Sequence, residues 1–122
     1  MALSPYAAYE TVQTTTADPA RVVLLLFEGA TRFLGQAQDG LARGDAGAFA
    51  YKTSRAHAII AELSASLDRE VGGEVAANLD RLYDFMLRYL TEGLAQKSAP
   101  HVERVAALLV PLREGFDAAL RG

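Results

Sequence analysis

The chain has 122 residues, of which 51% are apolar and 22% charged, the size and composition of one globular domain with a single core. Its 12 basic and 15 acidic residues give a formal net charge of -3, so we expect no nucleic-acid partner. Cysteine is absent, which excludes disulfides, thiolate metal sites and thiol nucleophiles.

The start of the chain does not predict a signal peptide, because MALSPYAAYE has no Lys or Arg before its short apolar stretch. The longest strongly apolar run, Val22 to Phe27, is far shorter than the ~20 residues needed to span a bilayer. We therefore expect a soluble, cytoplasmic protein without membrane insertion.

Two helices are predicted in the first half of the domain. Asp18-Pro19 is typical of a helix start, and the first helix should run to about Ala42 and close near Gly44. The second should run from about Asp45 to Arg69. Steps of three and four residues give it one core stripe, formed by Phe49, Thr53, Ala56, Ile60, Leu63 and Leu67.

Two further helices are predicted in the second half. Gly72-Gly73 should form a turn, with the third helix starting at Glu74. Its apolar face is wide, with one stripe of Val75, Leu79, Leu82, Met86 and Tyr89 beside another of Tyr83, Leu87, Leu90 and Leu94. Ser98 should cap the fourth helix, with core positions Val102, Val105, Leu109, Leu112 and Phe116 and a bend near Pro111.

The predicted fold is all-α. Four helices of similar length with short connections favour an antiparallel up-and-down four-helix bundle over residues 18–122. Residues 1–17 lack a sustained helical period and should form a short flexible N-terminal tail. Tyr6 and Tyr9 in this tail are three residues apart, so both could face one groove as a removable lid.

No catalytic or metal-binding pattern is present. A di-metal bundle site needs Glu-x-x-His pairs, but Ser54 and Ser98 stand three residues before His57 and His101. We expect His57 to be a partly exposed helix residue and His101 a surface residue. Glu28 and Asp84 each have an arginine four residues later, Arg32 and Arg88, which favours surface ion pairs over acid–base catalysis. The sequence therefore predicts no enzyme, no metal and no cofactor.

Apolar residues exceed what one bundle face needs. Val22 to Phe27 is apolar around the whole helix. If Val22, Leu25, Leu26, Gly29 and Phe33 face inward, then Val23, Leu24, Phe27 and Leu34 lie on the flank. These additional apolar residues could pack against neighbouring helices or a dimer partner. Alternatively, they could form a groove for an amphipathic or disordered segment.

Four segments in order resemble one known family: PYAAYETV, TADPARVVLLLFEGATRFL, SLDREVGGEVAANLDRLYDFMLRYL and LLVPLREGFDAAL. Together they make the chain similar, through nearly its whole length, to the flagellin-specific export chaperone family FliS. The most specific parts are the tyrosine-bearing start, the segment Leu25 to Ala30, the sequence SLD before Gly72-Gly73, and the segment Leu82 to Met86.

The resemblance implies a bundle that binds the disordered C-terminal segment of flagellin in the bacterial cytosol. It further implies prevention of premature filament assembly and delivery to a component of the flagellar type III export gate, without ATP or turnover. The lid and gate-docking roles would fall on Tyr6 and Tyr9. For the flagellin groove we select the flank positions Leu24, Phe27, Leu34, Ile59, Leu63, Tyr83, Leu87 and Leu90.

Two alternatives stay open at this point. A structural bundle could use the surplus apolar surface for a homodimer, including a weak one, with a symmetric apolar interface. An adaptor could instead bind a regulatory protein unrelated to flagellin. Titration with a flagellin segment and sedimentation of the free protein distinguish the chaperone, the homodimer and the adaptor.

Overall fold

Four helices account for nearly all of the chain that the structure, a computed structural model, describes, namely residues 18–121. They are α1 (Pro19–Ala42), α2 (Ala46–Ala65), α3 (Arg69–Gln96) and α4 (Ala99–Arg121), and no strand occurs within that range. The prediction of an all-α four-helix bundle is confirmed. The tail assigned to residues 1–17, with Tyr6 and Tyr9, lies outside the described residues.

An aspartate caps each of the first three helices. The Asp18 carboxylate accepts a hydrogen bond from the Ala20 N–H at 3.2 Å, and Pro19 occupies the first turn, as predicted. Asp45 accepts from the Ala48 N–H at 2.9 Å, and Asp68 accepts from the Val71 N–H at 3.0 Å. These acceptors satisfy N–H groups that have no partner inside their own helix.

The helices are arranged in a ring. Helix α1 packs against α2 and α4, and α3 packs against the same two helices. Each connection between successive helices spans only a few residues, so neighbours in sequence are antiparallel neighbours in space. All six residues of the stripe predicted for the second helix, from Phe49 to Leu67, are buried. The helix itself ends at Ala65 and not near Arg69, so Leu67 packs on the core from the connection that follows α2.

The start of α3 differs from the prediction. The helix begins at Arg69, before the glycine pair, because Asp68 caps it. Gly73 then interrupts it with φ 55° and ψ −130°, a conformation that side chains with a Cβ rarely adopt. An ion pair between Arg69 and Asp80 joins the turn before this break to the helix after it. The glycine pair therefore marks a break inside the helix and not a turn before it.

The inward faces of α1 and α3 also differ from the prediction. In α1 the buried side chains include Val23, Phe27 and Leu34, which had been placed on the flank, while Leu25 is 49% exposed. In α3 the core seam runs through Tyr83, Met86 and Leu90, between the two predicted stripes. Both helices have apolar residues on several sides, so the hydrophobic period alone did not determine which side faces the core.

Helix α4 follows its predicted stripe. Val102, Val105 and Leu109 are buried, while Leu112 and Phe116 are half-buried, and the helix continues through Pro111. The His101 N–H donates to the Ser98 hydroxyl at 3.4 Å, at the predicted cap. None of the helices formed by residues 18–121 is both long and apolar enough to cross a membrane.

Candidate functional site

An apolar groove of about 270 Å³ lies between the N-terminal half of α3 and the C-terminal half of α4, with α1 beneath it. Nine residues line it: Phe27, Val75, Leu79, Tyr83, Pro111, Leu112, Gly115, Phe116 and Ala119. None of these side chains carries a formal charge, and the Tyr83 hydroxyl is the one side-chain polar group among them. Such a lining suits an apolar protein segment.

Two buried aromatic side chains form the floor of the groove. Phe27 is 2% exposed and Tyr83 is fully buried, so both belong to the core as well as to the groove. The centroids of the Phe27 and Phe116 rings lie 6.2 Å apart at an interplanar angle of 44°, a tilted aromatic contact. The floor is therefore fixed by core packing and does not depend on an occupant.

Small residues on α4 give the groove its depth. A Cβ added at Gly115 would meet no atom within 4 Å, so the space above it is open. Ala119 lies one turn further along and presents only a methyl group. On the α3 side Val75 is 60% exposed, which leaves one edge of the groove open to solvent. A side chain from a bound segment can therefore occupy the space beside Gly115 and Ala119.

An ion pair between α1 and α4 lies outside the lining of this groove. The Arg113 guanidinium donates to the Glu28 carboxylate at 2.8 Å. This hydrogen bond, together with the surrounding carboxylates, raises the pKa of Arg113 above its usual value, so the guanidinium stays charged. The predicted pair of Glu28 with Arg32 is wrong, whereas Asp84 and Arg88 do pair, at 3.1 Å.

The eight residues selected for the flagellin groove do not form one surface. Phe27, Leu34, Leu63, Tyr83 and Leu90 are buried core residues, and among them only Phe27 and Tyr83 line the groove. Leu24, Ile59 and Leu87 are half-buried and lie outside it. The expectation that all eight lie on an outer flank is therefore wrong, because five of them fill the bundle interior.

Sequence reasoning missed most of the lining. Leu112 and Phe116, predicted as core positions of α4, are half-buried and line the groove, together with Pro111 and Gly115. The signal that could have found the site is the combination of Gly115 and Ala119, one turn apart beside the bulky Phe116. Small residues beside an aromatic ring on a helix face leave space that a partner can fill.

The two histidines make local contacts. His57 is half-buried, as expected, with Nε2 3.4 Å from the Thr91 hydroxyl. His101 is not a plain surface residue, because its side chain is only 13% exposed and its ring stacks on Tyr89 at 4.2 Å. Its Nδ1 lies 2.7 Å from the Ser98 hydroxyl and its Nε2 lies 3.1 Å from Glu92. These contacts join the end of α3 to the start of α4.

The fold and the groove together define a small helical-bundle protein with a surface suited to binding an apolar segment. Comparison with known proteins is consistent with that class. The sequence model of the family described as Flagellar protein FliS matches residues 2–122. The chain therefore belongs to the FliS family, the flagellar secretion chaperones.

Individual relatives support this assignment. The chain is 38% identical over 102 residues to the flagellar secretion chaperone FliS of Salmonella typhimurium, covering 83% of this chain and 76% of the relative. It is 35% identical over 105 residues to FliSB of Pseudomonas aeruginosa, covering 86% and 83%. It is 25% identical over 118 residues to FliS of Bacillus subtilis, covering 97% and 87%.

Proposed function

We propose that this protein is a cytosolic export chaperone that binds the disordered C-terminal segment of flagellin. Bound flagellin cannot polymerise prematurely and is delivered to a component of the flagellar type III export gate. The chaperone holds its client without cofactor or turnover. The observation that carries the proposal is the apolar groove between α3 and α4, in a chain that belongs to the flagellar secretion chaperones.

The groove fits a helix-forming client. Helix-in-groove recognition places apolar anchors from one face of an amphipathic helix into a hydrophobic groove. The open space above Gly115 and beside Phe116 can take one such anchor, and the exposed edge at Val75 can contact the next turn of the client. Ordering the client costs part of the binding free energy, so release at the gate need not require a nucleotide.

The N-terminal tail gives the groove a second occupant when no client is present. Seventeen residues precede Asp18, and a chain of that length reaches up to roughly 55 Å when extended. Tyr9 lies nine residues before Asp18, and Phe27 lies nine residues after it, about two turns into α1, so the chain between them is long enough for Tyr9 to reach the groove. We propose that Tyr6 and Tyr9 cover the groove and leave it when flagellin binds, and that they also dock at the export gate.

Filling the groove tests the proposal without unfolding the protein. Gly115→Leu places a large side chain in the open space, and leucine is a better helix former than glycine. Calorimetric titration with the C-terminal segment of the host's flagellin should show saturable binding by the unmodified chain and a gain in helix by circular dichroism. The Gly115→Leu variant should bind the flagellin segment at least about tenfold more weakly than the unmodified chain.

The matched control is Gly35→Leu. Gly35 is an exposed glycine within α1, its added Cβ would also meet no atom within 4 Å, and it lies outside the groove. The affinity of the Gly35→Leu variant for the flagellin segment should equal that of the unmodified chain. Equal binding by both variants contradicts the groove assignment. Absence of any binding at high micromolar concentration contradicts the flagellin assignment, and sedimentation then separates a homodimer from an adaptor.

A further inference from the structure

Three cationic side chains converge on one aromatic ring at the outer face of α1 and α2. The Phe33 ring on α1 is half-buried, and the Arg32 guanidinium lies 5.7 Å from its centroid. From α2, the Lys52 ammonium lies 5.4 Å and the Arg55 guanidinium 5.7 Å from the same centroid. No two of these positive groups can therefore be more than about 11 Å apart, a separation comparable to the Debye length of about 10 Å at 0.1 M salt.

These cations have no carboxylate partner within the part of the chain that the structure describes. Arg69, Arg88, Arg113 and Arg121 all pair with an aspartate or glutamate, but Arg32, Lys52 and Arg55 do not. Other arginines without an ion pair, such as Arg43 in the turn after α1, Arg81 in α3 and Arg104 in α4, are far apart in the chain and are not grouped around one ring. In a chain of net charge -3, the ring at Phe33 thus carries a local excess of positive charge.

The Phe33 ring attracts all three cations. A cation over an aromatic face is attracted by the negative charge of the ring face, and this attraction strengthens where water is partly excluded. The three like charges nevertheless repel one another, and an anion bound between them would remove that repulsion. The ring therefore attracts all three cations, while their mutual repulsion favours binding of an anion.

An exposed aromatic side chain extends the patch. Tyr51 is 60% exposed, and the Lys52 ammonium lies 5.8 Å from its ring. A ligand for this patch should carry negative charge together with an apolar or aromatic side chain. A protein segment with carboxylates beside apolar residues combines both, whereas a nucleic acid would be repelled by the acidic remainder of the chain.

We propose that the cationic face, defined by Arg32, Phe33, Tyr51, Lys52 and Arg55, binds a carboxylate-rich segment of a partner protein. None of these residues lines the apolar groove between α3 and α4, so the protein has two binding surfaces of different chemistry. The cationic face recognises charge and depends on salt, whereas the groove recognises apolar side chains. The proposal stands whether or not flagellin occupies the groove.

Fluorescence anisotropy with a defined probe tests this surface. The probe is a labelled 12-residue peptide with five glutamates and two phenylalanines, and the reference peptide has glutamines in place of the glutamates. The full-length chain should bind the acidic probe saturably at low salt, and binding should weaken as salt shortens the Debye length. The triple variant Arg32→Gln, Lys52→Gln, Arg55→Gln should lose about tenfold in affinity, since each lost ion pair contributes modestly.

The control has the same change in net charge at different places, with Arg43→Gln, Arg81→Gln and Arg104→Gln. Its affinity for the probe should change by less than about twofold. Equal losses in both triple variants would show that net charge alone attracts the peptide and would overturn the proposal. Tighter binding of a single-stranded DNA of equal charge, lost in the first triple variant, would assign the face to nucleic acid instead.

A second copy of this chain is the remaining occupant, and sedimentation distinguishes it. The proposal expects a monomer whose sedimentation does not depend on concentration or on the first triple variant. A dimer that this variant dissolves would overturn the proposal in favour of self-association. Circular dichroism and thermal melting accompany every variant, and Gln at exposed or half-buried helix positions should leave both nearly unchanged.

Discussion

The ring of Phe27 in α1 lies 6.2 Å from the ring of Phe116 in α4, and both rings line the apolar groove. The two residues differ in burial, because Phe27 is 2% exposed whereas Phe116 is half-buried. The aromatic contact thus joins the bundle core to the binding surface. Substitution of either residue should affect both stability and binding, in different proportions.

Phe27→Ala should destabilise the fold by about 3–5 kcal/mol, because it leaves a cavity in the core. Phe116→Ala should cost less than half as much and weaken binding of the flagellin segment. Urea unfolding followed by circular dichroism measures the first effect, and calorimetric titration measures the second. A larger stability loss for Phe116→Ala would contradict the assignment of Phe27 to the core.

A charge at the open edge of the groove should block binding with little effect on folding. Val75 is 60% exposed, so Val75→Asp should fold normally and bind flagellin at least about tenfold more weakly. Val110→Asp is the matched control, since Val110 is 45% exposed on α4 and does not line the groove. Equal affinities of the two variants would place the client elsewhere.

The close approach of α3 and α4 depends on Gly93. A Cβ added there would lie 2.6 Å from the Cβ of His101, so one helix would have to move. Gly93→Ala should therefore destabilise the protein by about 1–3 kcal/mol in urea unfolding. Gly35→Ala, with open space around it, should instead stabilise by about 0.5–1 kcal/mol through helix propensity. A stabilised Gly93→Ala variant would contradict this packing.

Thr53 in α2 is fully buried, and its hydroxyl has no hydrogen-bond partner in the described structure. Thr53→Val keeps the shape and removes the unsatisfied hydroxyl, so it should raise the free energy of unfolding by about 1 kcal/mol. Thr53→Ala also removes a methyl group and should not stabilise. A destabilised valine variant would show that the hydroxyl has a partner in solution.

Tyr6 and Tyr9, proposed to cover the groove, lie outside the described residues. Tyr6→Ala combined with Tyr9→Ala should expose the groove in the free protein and increase the fluorescence of a hydrophobic dye. Adding Gly115→Leu should reverse that increase, because it fills the same space. If the double tyrosine variant binds no more dye than the unmodified chain, the tail does not cover the groove.

The sequence predicted the helices well and the groove poorly. In the second helix, polar residues separate most of the apolar ones, so the buried stripe from Phe49 to Leu67 was predicted correctly, although α2 ends at Ala65 and Leu67 follows it. In α1 the run Val22 to Phe27 is apolar on every side, so its inward face depends on the packing of α2 and α4. Pairs far apart in the chain, such as Glu28 with Arg113, follow only from the assembled bundle.

The break at Gly73 has a consequence for the cooperativity of unfolding. The turn from Arg69 to Gly72 is capped by Asp68, and the exposed ion pair of Arg69 with Asp80 joins it to the rest of α3. Local opening of such a segment requires much less free energy than global unfolding. Backbone amides before Gly73 should therefore exchange with deuterium much faster than those around Tyr83, so that α3 behaves as two units of unequal protection.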